Sequence, residues 1–186
     1  MATLEPNSAI VLAATERWLE RAVIGLGLCP FARAVFARQQ IRYVVSAAVE
    51  PAALLQELTS ELQGLMAADP AVIDTTLLIH PNALADFLEF NAFLRRAQRA
   101  LEKLGLAGEL QLASFHPDYC FADSEPEDAA NNSNRAPYPI LHLLREASVE
   151  RALASYPDPD SIYLKNIRTL RALGTAAFQR LLAEPV

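Results

Sequence analysis

The chain has 186 residues, a formal net charge of −6 and a pI of about 5.1. Its 52% of apolar and 20% of charged residues indicate a globular protein rather than a disordered one. The acidic balance disfavours nonspecific binding to nucleic acid or to anionic lipid. No apolar run reaches the roughly 18 residues that a membrane-spanning helix needs.

The start of the chain and its cysteine content indicate a compartment. Residues 1–7 lack the basic start and apolar core of a signal peptide. Cys29 and Cys120 are too few for a disulfide framework. We therefore expect a cytoplasmic protein with two free thiols.

The N-terminal part predicts two helices and a strand. Residues 9–24 carry apolar side chains at helical spacing and are followed by Gly25. Pro30 can open a short second helix that runs to about residue 38. Residues 41–49 alternate between apolar and polar, which is typical of a strand.

The middle of the chain predicts two further strands, each preceded by a helix. A leucine-lined helix begins at Pro51, and the apolar run at residues 75–80 predicts a strand buried on both faces. A long helix follows Pro81 and ends at Gly105, and residues 110–115 predict the third strand. The order β-α-β-α-β implies parallel strands joined by crossover helices.

The remaining elements complete the expected fold class, a single α/β domain over residues 1–186. We predict C-terminal helices over residues 140–147, 149–155 and 161–174, packed with the N-terminal helices on a small parallel sheet. The alternative is a ferredoxin-like α+β fold with an extra antiparallel strand near residues 119–122.

A polar segment at residues 114–146 carries most of the residues that could support chemistry. It holds two of the three histidines and one of the two cysteines, together with acidic residues, asparagines and arginines. A polar loop of this length in a compact domain is usually functional or disordered. Interspersed aromatic residues and prolines favour an ordered loop, and we therefore expect the functional site here.

Two His-Pro pairs follow predicted strands. His80-Pro81 comes after the second strand and His116-Pro117 after the third. Ligands of open parallel sheets bind at the carboxyl ends of the strands, so both imidazoles could open onto one crevice. The alternative is that each histidine only caps a carbonyl group at the end of its strand.

Cys29 precedes Pro30 at a predicted helix start, where unpaired N–H groups and the helix dipole favour a thiolate. We therefore predict a lowered thiol pKa, with Cys29 as the candidate nucleophile and His116 as the general acid or base. The alternative is that Cys29 is buried and inert, as many cysteines are.

The polar segment also offers groups that hold anions. Arginine presents a rigid fork for carboxylate or phosphate, and asparagine amides add directional hydrogen bonds. We expect an anionic small molecule as partner, and the alternative is that these residues build turns and internal ion pairs. The candidate substrate-binding residues are His80, Asn131, Asn134, Arg135, Tyr138, His142 and Arg145.

Metal and cofactor motifs are weak in this sequence. His116 and Cys120 are four residues apart, but no pair of close-spaced ligand motifs occurs. No glycine-rich nucleotide motif occurs either, so we expect no metal and no built-in organic cofactor. The favoured function is an enzyme that acts on an anionic small molecule at a Cys/His/Asn/Arg site at the C-terminal end of the sheet. The alternatives are a metal-dependent hydrolase or oxidoreductase and a non-enzymatic binding or interaction module. The residues leave the substrate, the reaction and the oligomeric state open.

Three stretches resemble the bacterial family named domain of unknown function 1415: LGLCPFA near the start, HP after the second strand, and SFHPDYCFAD followed by NNSNRAPYPILHLLRE. The resemblance covers nearly the whole chain. It implies a stand-alone bacterial cytoplasmic domain and brings no assigned reaction. The residues that carry it include Cys29, His80, His116, Asn131, Asn134, Arg135, Tyr138, His142 and Arg145.

Overall fold

The computed structural model describes residues 8–154, 156, 158–159 and 161–183. Its centre is one four-stranded sheet with the strand order β1-β2-β4-β3. The strands are β1 (Ile41–Val45), β2 (Thr75–Ile79), β3 (Leu110–Phe115) and β4 (Ile140–Arg145).

Seven α-helices surround the sheet in the described part of the chain, and they cover both of its faces. The first continues into a π-helical stretch at Leu19–Ile24, and a 3₁₀ turn lies at Ala129–Ser133. No helix in the described residues is long and apolar enough to cross a bilayer. The helices are α1 (Ser8–Trp18), α2 (Ala32–Ala37), α3 (Pro51–Ala67), α4 (Phe87–Lys103), α5 (Glu146–Ala154), α6 (Ser161–Leu173) and α7 (Thr175–Ala183).

The mixed α/β class is as predicted, but the parallel β-α-β-α-β sheet is not. β1 and β2 pair in parallel, whereas β4 lies antiparallel to both β2 and β3. Strands β1, β2 and β3 therefore run in one direction, but β3 is separated from β2 by β4. The alternative extra strand near residues 119–122 does not form either.

The helix predicted over residues 140–147 is wrong, because residues 140–145 form the inner strand β4. Ile140, Leu141 and Leu143 are fully buried. A strand covered by helices on both faces must be apolar on both sides, and that pattern cannot be told from a short buried helix by periodicity alone. The helix predicted over residues 149–155 is present but begins earlier, at Glu146, and is described as far as Ala154. Its predicted last residue, Ser155, lies outside the described residues.

Alternating side chains divide the interior into two cores. The crossover core lies between the sheet and helices α3 and α4, and contains Leu78, Leu141 and Leu143 of the sheet. The terminal-helix core lies on the opposite face against α1, α6 and α7, and contains Leu77 and Ile140. Because side chains alternate along a strand, a residue's position in its strand decides which core it enters.

Arg145 ends β4 inside the crossover core and is only 9% exposed. One of its terminal nitrogens donates to the carbonyl oxygens of Leu65 at 2.5 Å and Ala68 at 2.7 Å, and a longer bond reaches Ile73 at 3.3 Å. These carbonyls belong to the end of α3 and to the turn that follows it, where the last helical C=O groups lack partners within the helix. Arg145 thus fixes α3 to the sheet.

We expect Arg145→Met to lower the free energy of unfolding by about 2 to 3 kcal/mol, because buried carbonyls at the end of α3 would lose their donor. Urea denaturation measures the change. The matched control is Arg42→Met: Arg42 forms an exposed ion pair with Glu61 at 2.8 Å, and such pairs contribute at most about 1 kcal/mol. Equal losses in the two variants would contradict the role given to Arg145.

Candidate functional site

The two His-Pro pairs lie at the same end of the sheet, where β2 and β3 end and β4 begins. The N–H of His80 donates to Pro139 O at 3.0 Å, and the N–H of His116 donates to Asn134 O at 3.1 Å. Both imidazoles point to the crossover core, where Phe90 of α4 lies between them. Ring centroids are 5.7 Å apart for His80 and Phe90 and 5.1 Å for Phe90 and His116.

His80 is fully buried and neutral in this arrangement. Its Nδ1 lies 2.9 Å from Ala83 O, and since a carbonyl oxygen only accepts, Nδ1 carries the proton. Burial lowers the pKa of His80 to about 4; the bond to Ala83 opposes this, and nearby His116 adds to it. Nε2 is buried and has no partner among the described residues.

His116 is also fully buried, and both of its ring nitrogens are engaged. Nε2 donates to Leu84 O at 3.2 Å, and Nδ1 accepts the N–H of Asp118 at 3.0 Å. Burial lowers the pKa of His116, while the bond to Leu84 and the charges of Asp118 and Asp86 oppose the shift. A general base needs an accessible lone pair, and this geometry leaves His116 none.

Two asparagines hold the loop between β3 and β4 together. Asn131 is buried; its Oδ1 accepts the N–H of Phe121 at 3.1 Å, and its Nδ2 donates to Glu125 O at 2.8 Å. Asn134 donates from Nδ2 to Ser114 O at 3.1 Å. These amides satisfy backbone groups that have no ladder partner, so both asparagines have a structural role here.

Arg135 spans the same loop. Its Nε donates to Tyr119 O at 3.0 Å, and one terminal nitrogen donates to Pro126 O at 2.7 Å. The backbone oxygen of Arg135 accepts a bond of 2.9 Å from the indole of Trp18, the only tryptophan. Both partners of the guanidinium are neutral carbonyls, and no carboxylate of the described residues forms an ion pair with it.

A cleft of about 430 Å³ opens between this loop and α7. Asp118, Asn132 and Arg135 contribute polar groups on the loop side, and Gln179 contributes an amide from α7. No sequence pattern marks Gln179 as a cleft residue, whereas Asp118 directly follows a His-Pro pair. Apolar walls come from Pro117, Pro126, Ala136, Pro137, Phe178 and Leu182.

Cys29 is not brought next to either buried histidine. It packs against the terminal-helix core, on the face of the sheet opposite to His116. Burial raises the pKa of the thiol, although the backbone N–H groups of Phe31 and Ala32 lower it in part. The predicted lowering of this pKa is therefore wrong, because α2 is only six residues long and burial outweighs its N–H groups.

Three other candidate residues lie away from the cleft. His142 sits within β4 on the terminal-helix side, its Nε2 2.7 Å from Thr75 Oγ1 and its ring 6.1 Å from that of Phe115. Tyr138 is partly buried against the same core, and Arg145 clamps α3. Of the candidate substrate-binding residues, Arg135 is thus the one that lines the cleft.

Metal ligands do not converge in the described part of the chain. No group of three or more histidine, cysteine or acidic side chains there is placed to hold an ion. Cys120 Sγ lies against loop carbonyls, 3.3 Å from Ser124 O. Asp128 pairs with Arg171 at 2.6 Å, and this arginine holds the pKa of the carboxyl at about 2.

Desolvation of His80 and His142 predicts acid sensitivity. His80 and His142 have pKa values of about 4 because both are desolvated, whereas unfolded histidine titrates near 6.5. Stability is therefore fully present above about pH 6.5 and falls as the pH drops toward 4, because the unfolded chain binds more protons. Each of these two histidines should lower the free energy of unfolding by about 2 kcal/mol when the pH falls from about 7 to about 5.

His142→Phe keeps a ring beside Phe115 and removes one titration, so we expect its stability to fall by about 2 kcal/mol less over that interval than the stability of the unchanged protein. Urea denaturation at the two pH values measures both. An unchanged pH dependence in His142→Phe would show that this imidazole is not held neutral by burial.

We expect the Cys29 thiol to titrate above about 8.5, the value of free cysteine, because burial raises its pKa. The measurement is the rate of iodoacetamide alkylation against pH in Cys120→Ser protein, with the Cys29→Ala, Cys120→Ser double variant as the blank. Fast alkylation with a midpoint below neutral pH would restore Cys29 as a candidate nucleophile.

Comparison with known proteins gives one match. Neither the search of curated proteins nor the search of solved structures found a match. The profile of one family, described as "Protein of unknown function (DUF1415)", matches residues 10–180. This range covers nearly all of the chain, including the cleft-forming loop and most of α7, and the chain therefore belongs to the DUF1415 family.

Proposed function

We propose that this chain binds a small anionic molecule in the cleft between the β3–β4 loop and α7. The observation that carries the proposal is the uncompensated charge of Arg135 in the cleft wall. The loop carbonyls that hold the guanidinium are neutral, so its positive charge stays available to a ligand.

The loop bonds also orient Arg135 for this task. Nε and one terminal nitrogen are fixed by Tyr119 and Pro126, and the described residues provide no partner for the other terminal nitrogen. A guanidinium held on one side loses little further freedom on binding, which favours affinity. Arginine forks match the geometry of carboxylate and phosphate groups.

The carboxylate of Asp118 restricts the charge of the ligands that the cleft can bind. It lines the same cleft and forms no ion pair with Arg135 in the described structure. A polyanion would be repelled by this carboxylate, whereas a ligand with an anionic group at one end and a donor or ammonium group at the other would complement both charges. We therefore favour a small carboxylate that also carries an amino or hydroxyl group.

Binding without catalysis is the form of the proposal that the geometry supports best. Cys29 and His116 face different cores, and the ring nitrogens of His116 are both bonded. A nucleophile and its base must lie within hydrogen-bond reach of each other. No such pair involving either cysteine occurs among the described residues.

We expect at least one member of a panel of amino acids, hydroxy acids and dicarboxylates to raise the melting temperature, since a ligand that binds the folded state stabilises it by mass action. Gln179→Glu adds a negative charge to the cleft without touching the loop bonds. It should weaken binding about tenfold or more, a change of about 1.4 kcal/mol in binding free energy.

The matched control is Gln63→Glu, the same substitution at an exposed position of α3 outside the cleft. It should leave the affinity unchanged. Arg135→Lys keeps a positive charge but lacks the forked guanidinium, and it should also weaken binding of the ligand that raises the melting temperature. A hit whose affinity is the same in Gln179→Glu and Gln63→Glu binds elsewhere, and a panel without hits removes the proposal for these ligand classes.

A further inference from the structure

β3 is an outer strand of the sheet, and its hydrogen-bond pattern shows which of its backbone groups point outward. Glu109 O accepts the N–H of Glu146 at 2.9 Å, in register with the pairing of β3 and β4. Backbone groups alternate between the two sides of a strand, so the N–H and C=O groups of the odd-numbered residues of β3 point toward β4. The N–H and C=O groups of the even-numbered residues, Leu110, Leu112 and Ser114, point outward, away from β4.

The loop covers only one end of this outer edge. Asn134 receives the N–H of His116 and donates to Ser114 O at 3.1 Å. At the other end, the N–H of Leu110 is bonded to Leu106 O at 3.0 Å. Four groups between these caps have no partner among the described residues: Leu110 O, Leu112 N–H, Leu112 O and Ser114 N–H.

A groove of about 320 Å³ runs beside these groups, between residues 112–114 and helix α4. Asn91, Leu94, Arg95 and Gln98 form its helical wall. Free strand edges are normally blocked by charges, prolines or bulges because they template pairing with another strand. This edge has none of these within residues 110–115, and its neighbouring groove has room for side chains.

The charge of the groove favours an acidic ligand over a second copy of the chain. Arg95 is exposed and is the single charged residue that lines the groove, in a chain whose net charge is −6. Arg99 lies one helical turn further along α4, and Leu88, which is 74% exposed, lies about two turns before Arg95. A second copy paired antiparallel about Leu112 would bring the two Arg95 side chains together, and like charges across an interface are unfavourable.

We propose that the outer edge of β3 binds an extended acidic peptide by β-strand addition. The four free backbone groups pair with the peptide main chain, and acidic side chains on the α4 side meet Arg95. Strand addition takes affinity from main-chain bonds and specificity from alternate side chains. This surface lies between β3 and α4, and the proposal is independent of the cleft.

The probe is a fluorescein-labelled nonapeptide that alternates valine and glutamate, and the measurement is fluorescence anisotropy with the full chain. We expect saturable binding with a Kd below about 1 mM, which corresponds to about −4 kcal/mol. Arg95→Glu should weaken it about tenfold or more, and a valine–lysine peptide should bind Arg95→Glu better than the unchanged protein.

Two controls separate the edge from general charge effects. Arg33→Glu makes the same charge change on exposed α2 and should leave the affinity within about twofold. Valine–glutamate peptide with N-methylated backbone positions lacks main-chain donors and should not bind. Ser114→Pro removes an outward N–H at an edge position, where proline is tolerated, and should weaken binding with the melting temperature nearly unchanged.

Three results would overturn the proposal. The first is no saturable binding of the valine–glutamate peptide up to about 1 mM. The second is equal binding of the N-methylated peptide, which would show that the edge is not used. The third is a dimer in sedimentation experiments that Ser114→Pro dissociates, because the edge would then belong to a second copy of the chain.

Discussion

The structure depends on β4, an antiparallel strand inserted between two strands that run the other way. Ile140 pairs with Ile79 on one side and with Phe115 on the other, so the ends of β2 and β3 are fixed to the same point. Its fully buried Ile140, Leu141 and Leu143 join the two cores, and each such side chain contributes about 1.5 to 3 kcal/mol by leaving water. Because β4 begins where β2 and β3 end, the loop that precedes β4 must fold over this end of the sheet.

That constraint explains why the loop is so polar. Residues 116–139 have no strand to pair with, yet part of this loop is buried, including His116, Asn131 and Asn132, and buried backbone groups need partners. Asn131, Asn134 and Arg135 provide them, and the indole of Trp18 adds one more. Side chains that resemble a catalytic constellation are therefore mostly the internal hydrogen-bond framework of an ordered loop. The cleft beside α7 is the space that this framework leaves open, and Arg135 serves both the framework and the cleft wall.

The sequence predicted what depends on local pattern and missed what depends on pairing. The existence and order of the helices up to α4 and of the strands β1 to β3 follow from periodicity and from breakers such as Gly25 and Gly105. Two bounds were predicted too wide, because α4 begins at Phe87 rather than directly after Pro81 and β1 ends at Val45 rather than at residue 49. β4 could not be recognised, because its sequence ILHLLR has apolar residues on both faces of the strand and therefore carries no strand-specific period. Placing His80 and His116 at one end of the sheet followed from their positions after strands of the same direction. Cys29 was misjudged because its burial comes from packing against the terminal-helix core, which a local pattern does not show, whereas the helix start next to it is local.

The β3–β4 loop is a preformed framework in the absence of any ligand. Amide hydrogen exchange in the free protein tests it most directly, because exchange reports local opening residue by residue. The N–H of His116, bonded to Asn134 O, and the N–H of Phe121, bonded to Asn131 Oδ1, should exchange much more slowly than in an unstructured chain. In Asn131→Ala the protection of Phe121 should be lost while that of Val44 in β1 remains. Exchange of both loop amides at the rate of an unstructured chain would contradict the account, since the loop would then be no framework and the cleft beside it would not be preformed.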